Sequence, residues 1–148
     1  MIGIKTTIAG TKDGIRRVFG IVDELAASHG LLPDVVADMN VALDEVLNNI
    51  ITHAYSDDRV HEIHVRIALD QYVLTVEIED DGKPFNPLTV PAPDLSAPSR
   101  DRRSGGVGIH FVKNLMSDVA YSFVDNRNRL VLRKNLGGKA KGGANERT

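Results

Sequence analysis

The stretch DEVLNNIITHAY, Asp44 to Tyr55, lies in a run whose apolar residues recur at helical spacing: Val35, Val36, Met39, Leu43, Val46, Leu47, Ile50 and Ile51. Within that helix the chain carries Glu45 and Asn49 one turn apart, with Asn48 beside them. Asn is a poor helix former because its side chain competes for backbone hydrogen bonds, so two in succession call for a reason. An i, i+4 step advances about 6 Å and returns to the same side, which puts Glu45, Asn49 and His53 in line, with Asn48 and Thr52 flanking. A solvated stripe is the plain alternative, although Glu, Lys or Gln would solvate that face at lower cost. A neutral amide oxygen is a hard ligand suited to one position on Mg²⁺, and a carboxylate one turn away can take a proton from a hydroxyl or orient a water. Together these are parts for phosphoryl transfer, where positioning and charge neutralisation supply most of the rate.

Working outward, Ile2 to Ile8 alternates like a strand, and Thr11 or Asp13 caps a helix with the stripe Ile15, Val18, Phe19, Val22 and Leu25. Gly30 is its stop, and Pro33 opens the second helix, which runs to about Ala54. Two alternating runs follow, Ile63-Val65-Ile67-Leu69 and Tyr72-Leu74-Val76-Ile78, with Asp70-Gln71 between them, the pattern of a hairpin. Asp80 continues the second parity, so its carboxylate points to the buried side and is costly unless it meets a partner. Asp-x-Gly is common at ordinary strand exits. An inward carboxylate, however, can accept a hydrogen bond from an exocyclic amino group such as that of adenine, and Gly82 would let a flat ring approach the backbone.

From Asn86 to Ser104 the text is rich in Pro and Ser and lacks a period, so it reads as a long functional or disordered loop. Gly105, Gly106 and Gly108 then lead into an amphipathic helix marked by Ile109, Val112, Leu115 and Met116. Glycines at a helix N-terminus expose N–H groups that suit phosphate oxygens, beneath a loop able to close over a nucleotide. Arg100, Arg102 and Arg103 in that loop would meet a terminal phosphate or an acidic partner, or simply be solvated. Strands are expected near 119–124 and 129–134, turning at Asn126-Arg127-Asn128, before a tail from 137 to 148 that reads as disordered. Blocks of helices and strands in this order predict an α+β fold, with helices layered on one face of a mostly antiparallel sheet.

At 148 residues and 42% hydrophobic, the chain suits a single domain with a real core, here residues 1–136. A formal charge of −2 offers no basic field for direct nucleic-acid binding. No apolar run approaches the ~20 residues a membrane span needs, and MIGIKTTIAGTKDG lacks the layout of a secretory signal. Cysteine is absent, which excludes disulfides and fits the cytoplasm.

The combination of E-x-x-x-N followed by H-A-Y, then D-x-G-x-P-F, then G-G-x-G-I resembles the nucleotide-binding boxes of the GHKL ATPases, the superfamily of gyrase and the histidine kinases. DDGKPFNP and GGVGIHFVKNLMSDVAY most resemble the bacterial anti-sigma factor serine/threonine-protein kinases. That resemblance implies a Bergerat-type two-layer α/β sandwich on a mixed, mostly antiparallel sheet. It implies ATP and Mg²⁺ as cofactors and phosphorylation of a Ser or Thr on an anti-sigma-factor antagonist. A sigma factor and a second copy of the chain are the other implied partners, the latter as a homodimer. By position, Asn49 would hold Mg²⁺, Glu45 would be the general base, and Asp80 would bind the adenine amino group. Gly82 would shape the adenine pocket, and Gly106 and Gly108 would meet the phosphates. Many relatives carry a Thr in the final strand that supports the adenine-binding Asp through water, expected here at Val131 or a neighbour. The alternative is an ATP-binding interaction module that switches partners and transfers no phosphate.

Overall fold

A computed structural model describes residues 1–89 and 106–137. The chain opens with strand β1 (Ile2–Ala9) and helices α1 (Lys12–His29) and α2 (Pro33–His53). Strands β2 (Glu62–Leu69) and β3 (Val73–Asp80) follow, then a short 3-10 turn at Pro87–Thr89. Helix α3 (Gly106–Leu115) and strands β4 (Asp118–Val124) and β5 (Arg127–Asn135) complete it.

The helix ends obey local chemistry. The Thr11 hydroxyl accepts from Gly14 N–H at the start of α1, and Gly30, at φ 67°, ends that helix in the left-handed conformation a Cβ would disfavour. Pro33 begins α2, where its missing N–H costs nothing. The hairpin between β2 and β3 is pinned by Asp70, whose Oδ1 accepts from Tyr72 N at 2.7 Å and Val73 N at 2.8 Å. Leu69 pairs with Leu74 and Asp70 N donates to Val73 O at 3.2 Å, so the turn is centred on Gln71-Tyr72 instead of Asp70-Gln71, and Tyr72 lies outside β3 and exposed instead of joining its buried row.

The strands form one sheet in the order β1-β2-β3-β5-β4. Every pairing among them is antiparallel, so the expectation of a mixed sheet is corrected. The reason is topological. The crossover through α3 leads from β3 to β4, but the tight β4–β5 hairpin reverses the chain and inserts β5 beside β3. One face of the sheet carries Ile63, Val65, Ile67, Leu74, Val76, Ile78, Leu130 and Leu132 into a core shared with Val18, Val22, Met39, Leu43, Leu47 and Val112 of the helices. The two-layer arrangement of helices on one sheet face follows, because only one strand parity is apolar. Among the described residues no helix is long and apolar enough to cross a membrane.

The β4–β5 turn differs from expectation. Asp125 and Asn126 hold φ of 55° and 63°, a two-residue connection whose twist suits a hairpin. Arg127 and Asn128 are therefore strand residues, and Asn128 pairs with Asp80 across β3 and β5.

Candidate functional site

The polar row on α2 resolves into two asparagines with different duties. Asn48 turns back on its own helix, its Nδ2 donating to Asp44 O at 2.7 Å and to Asp44 Oδ1 at 3.0 Å. That is local satisfaction, of the kind that lets Asn survive mid-helix. Asn49 is only 4% exposed, and its Nδ2 donates to Glu45 Oε2 at 3.3 Å. With the amide nitrogen engaged, the Asn49 oxygen is the atom left for a hard cation. Glu45 is half-buried, and its carboxyl is held above the ordinary range chiefly by desolvation. The bond from Asn49 opposes that shift and the charge of Asp44 adds to it. Next in line, His53 is exposed and packs its ring against Phe85, with centroids 5.5 Å apart.

The second group forms where β3 ends. Asp80 is 1% exposed, and its Oδ1 accepts from Gly82 N at 2.9 Å and from Asn128 Nδ2 at 3.0 Å. Burial pushes this carboxyl up, Gly82 N–H and the Asn128 amide pull it down, neighbouring Asp81 raises it again, and the Tyr55 hydroxyl adds a smaller lowering. Gly82 proves to be a glycine for the chain's own sake. A Cβ there would sit 2.5 Å from Ala54 O and 2.9 Å from Ala54 Cβ. Lys83 N donates to the same Ala54 carbonyl at 3.0 Å. These contacts bind the exit of β3 to the C-terminal end of α2. Asn49 lies five residues before Ala54, roughly 7.5 Å of helix rise, so the metal-suited amide and the buried carboxylate share one end of the molecule.

Asn128 is missed by the sequence, which places it in a turn and matches the relatives' supporting Thr to Val131 or a neighbour, a departure that leaves Asp80 without that support. Val131 pairs with Glu77, whereas Asn128 lies in register with Asp80. Besides Asp80, Asn128 Nδ2 reaches Lys83 O at 2.8 Å and Gly82 O at 3.3 Å. Its Oδ1 accepts from Phe85 N at 2.8 Å and from Tyr121 Oη at 2.5 Å. The signal that would have found it is parity, since Asn128, Leu130 and Leu132 share one inward row as Asp80 shares one with Ile78.

Gly106 opens α3 and Gly108 falls in its first turn, so both are helical instead of preceding the helix. Val112 and Met116 carry the end of this segment into the core. Arg100, Arg102, Arg103 and Gly105 lie outside the described residues, as does the tail from 138. Among the described residues no group of three or more His, Cys, Asp or Glu is placed to hold a metal. A divalent cation at Asn49 would thus draw its other ligands from phosphates and waters, as Mg²⁺ commonly does. A hollow of about 380 Å³ lined by Lys5, Thr7, His64, Arg66, Glu77 and Glu79 lies on the opposite sheet face, between cross-strand ion pairs, and is unrelated to this chemistry.

Residues 8–134 match the family model of the histidine kinase-like ATPase domain. Over 94 residues the chain is 28% identical to the serine/threonine-protein kinase BtrW of Bordetella bronchiseptica, covering 64% of this chain and 66% of that protein. Over another 94-residue alignment it is 31% identical to the serine-protein kinase RsbW of Bacillus mycoides, covering 61% and 58%. The chain thus spans somewhat under two thirds of these relatives' length. Among solved structures, that of the RsbU and RsbW domains of a Mycobacterium tuberculosis protein superposes with a TM-score of 0.64 at 18% identity, over 92% of this chain and 32% of that one. The SiaB–SiaC complex from Pseudomonas aeruginosa gives 0.54 at 16% identity, over 91% and 89%. At such identities the structural likeness is one of fold.

Proposed function

The chain belongs to the histidine kinase-like ATPase family, and on that footing we propose that it is an ATP- and Mg²⁺-dependent serine/threonine-protein kinase of the anti-sigma factor type. In this reading residues 1–136 are one ATP-binding kinase domain that phosphorylates an anti-sigma-factor antagonist, sequesters a sigma factor and acts in the cytoplasm as a homodimer. The observation that carries it is the pairing of Glu45 with Asn49 on α2 together with a buried Asp80, whose exit loop is bonded to the end of the same helix. The names of the two kinases described above point the same way.

Each residue has a distinct task. Asp80 accepts a hydrogen bond from the adenine amino group at the floor of the pocket, and Gly82 and its neighbours form the wall there. Asn49 offers its amide oxygen to Mg²⁺, which when bound neutralises phosphate charge and orients the terminal phosphoryl group. Glu45 takes the proton of the attacking Ser or Thr hydroxyl as its oxygen bonds to the terminal phosphorus, and ADP departs with the electrons of the broken P–O bond. A raised Glu45 suits this role, because a stronger base accepts a proton more readily near neutrality. Gly106 and Gly108, at the positive end of α3, meet phosphate oxygens with backbone N–H groups.

The test is incubation with ATP labelled on its terminal phosphate, Mg²⁺ and a bacterial extract, followed by identification of the labelled protein. Label on Ser or Thr of a small acceptor protein supports the kinase. Partner binding that depends on ATP, with no label moved, replaces it with a non-catalytic nucleotide switch.

A further inference from the structure

The scheme proposed above gives Asn128 no task, yet it is 3% exposed and makes every hydrogen bond its amide can make. Its orientation is dictated by backbone. Phe85 N–H, a donor only, lies 2.8 Å from Oδ1, and the Lys83 carbonyl, an acceptor only, lies 2.8 Å from Nδ2. Reversing the amide would set donor against donor and acceptor against acceptor. Nδ2 therefore has to present hydrogen to Asp80 Oδ1, which also receives Gly82 N–H. Two donors on Oδ1 leave no room for a proton on that oxygen, and both bonds favour the charged carboxylate. Oδ2, with the Tyr55 hydroxyl near the same carboxylate as a further donor, is then held as an acceptor for a ligand.

From this we infer that Asn128 is a specificity-determining residue: by holding Asp80 Oδ1 with a donor, it makes the pocket floor accept a purine with an amino group at position 6 and reject one with a carbonyl there. The inference rests on the nucleotide reading above and adds the residue that sets base preference. The physical reason is the asymmetry of buried hydrogen bonding. A 6-amino group meets the carboxylate donor to acceptor, whereas a 6-oxo group sets two acceptors face to face, which costs far more than a missing bond. If Asp80 turned freely or took up a proton, it could offer a donor instead and the discrimination would fade. Asn128 acts through Asp80 and so is a positioning residue, not a catalytic one.

A clamp that merely steadied residues 82–85 would behave differently, since its loss would weaken all nucleotides alike. ATP and ITP differ at position 6, amino against carbonyl, and in the hydrogen that N1 carries beside the carbonyl, and a general loss of affinity changes neither relative to the other, so the ratio of their dissociation constants separates the two roles. The constants are measured by calorimetry with Mg²⁺ for the full chain, Asn128→Ala and Asn128→Leu, alongside thermal melting. Asn128→Leu keeps the volume without setting a second carboxylate beside Asp80, so it stands in should the alanine variant not fold. The full chain is expected to prefer ATP by roughly tenfold or more, and the variants to bring the ratio to within about threefold of unity. A variant that keeps the original ratio, or one that loses both nucleotides equally, overturns the inference, as does a full chain without preference. A full chain that binds neither nucleotide overturns the nucleotide reading beneath it.

Discussion

Asn49 Nδ2 donates to Glu45 Oε2 across one turn of α2, at 3.3 Å, and that bond sorts two adjacent functions. It turns the amide nitrogen toward the carboxylate and leaves the amide oxygen for a cation. It also steadies the carboxylate, while burial keeps the carboxyl's affinity for protons high. In the proposed mechanism metal support and base are thereby oriented by one interaction.

Glu45→Gln keeps shape and an acceptor but removes the base. Phosphate transfer to the acceptor protein should fall by about 10²-fold or more while ATP affinity stays within a few-fold. Because Glu45 is raised above its ordinary range, the acid limb of the rate profile should lie above the usual Glu titration, with activity rising as pH rises through it. Pre-steady-state transfer measured against pH checks both.

The twin asparagines should respond differently. Among the described residues Asn48 bonds to Asp44 of its own helix alone, so Asn48→Ala should leave activity intact and shift stability by no more than about 0.5 kcal/mol. Asn49→Ala should abolish the Mg²⁺-dependent part of ATP binding. Parallel titrations with and without Mg²⁺ distinguish them, and equal losses in both variants would contradict the assignment.

Asp80 makes a counterintuitive stability prediction. Its folded carboxyl is raised, with desolvation the largest cause, so its ionised form opposes folding. The stability it lends is complete below its unfolded titration and is lost as pH rises through the higher folded one. Asp80→Asn removes that charge, and at neutral pH its melting temperature should equal or exceed that of the parent. A large drop in denaturation scans would show instead that the carboxylate is a structural anchor.

Gly82→Ala should destabilise by roughly 1–3 kcal/mol, because the new methyl meets backbone of Ala54 and not a flexible side chain. Melting curves would show it, together with weaker ATP binding as the exit of β3 is pushed from α2.

Much of this was legible because a half-buried element enforces its period. The stripe of α2 and the alternation in β2 and β3 marked their faces, and Asp80 stood out as a carboxylate on an apolar row. Asn128 lay hidden for a local reason. Asp125, Asn126 and Asn128 are all good turn formers, and only the hairpin geometry shows that the first two take the left-handed positions and the third belongs to β5. Gly82 was visible as a glycine, but its cause, the close approach of Ala54, is a tertiary contact no spacing encodes. The purely antiparallel sheet likewise depends on β5 inserting beside β3, which local pattern does not specify.

The central claim is that Asn49 and Asp80 serve one purine nucleotide site. Calorimetric titration of the chain and of its Asp80→Asn variant with ATP and Mg²⁺ addresses it most directly. The account predicts saturable binding to the parent and an affinity at least about tenfold lower in the variant, where an amide donor can face the base amino group. Absence of binding to the folded parent, or equal affinity in the two, would contradict it.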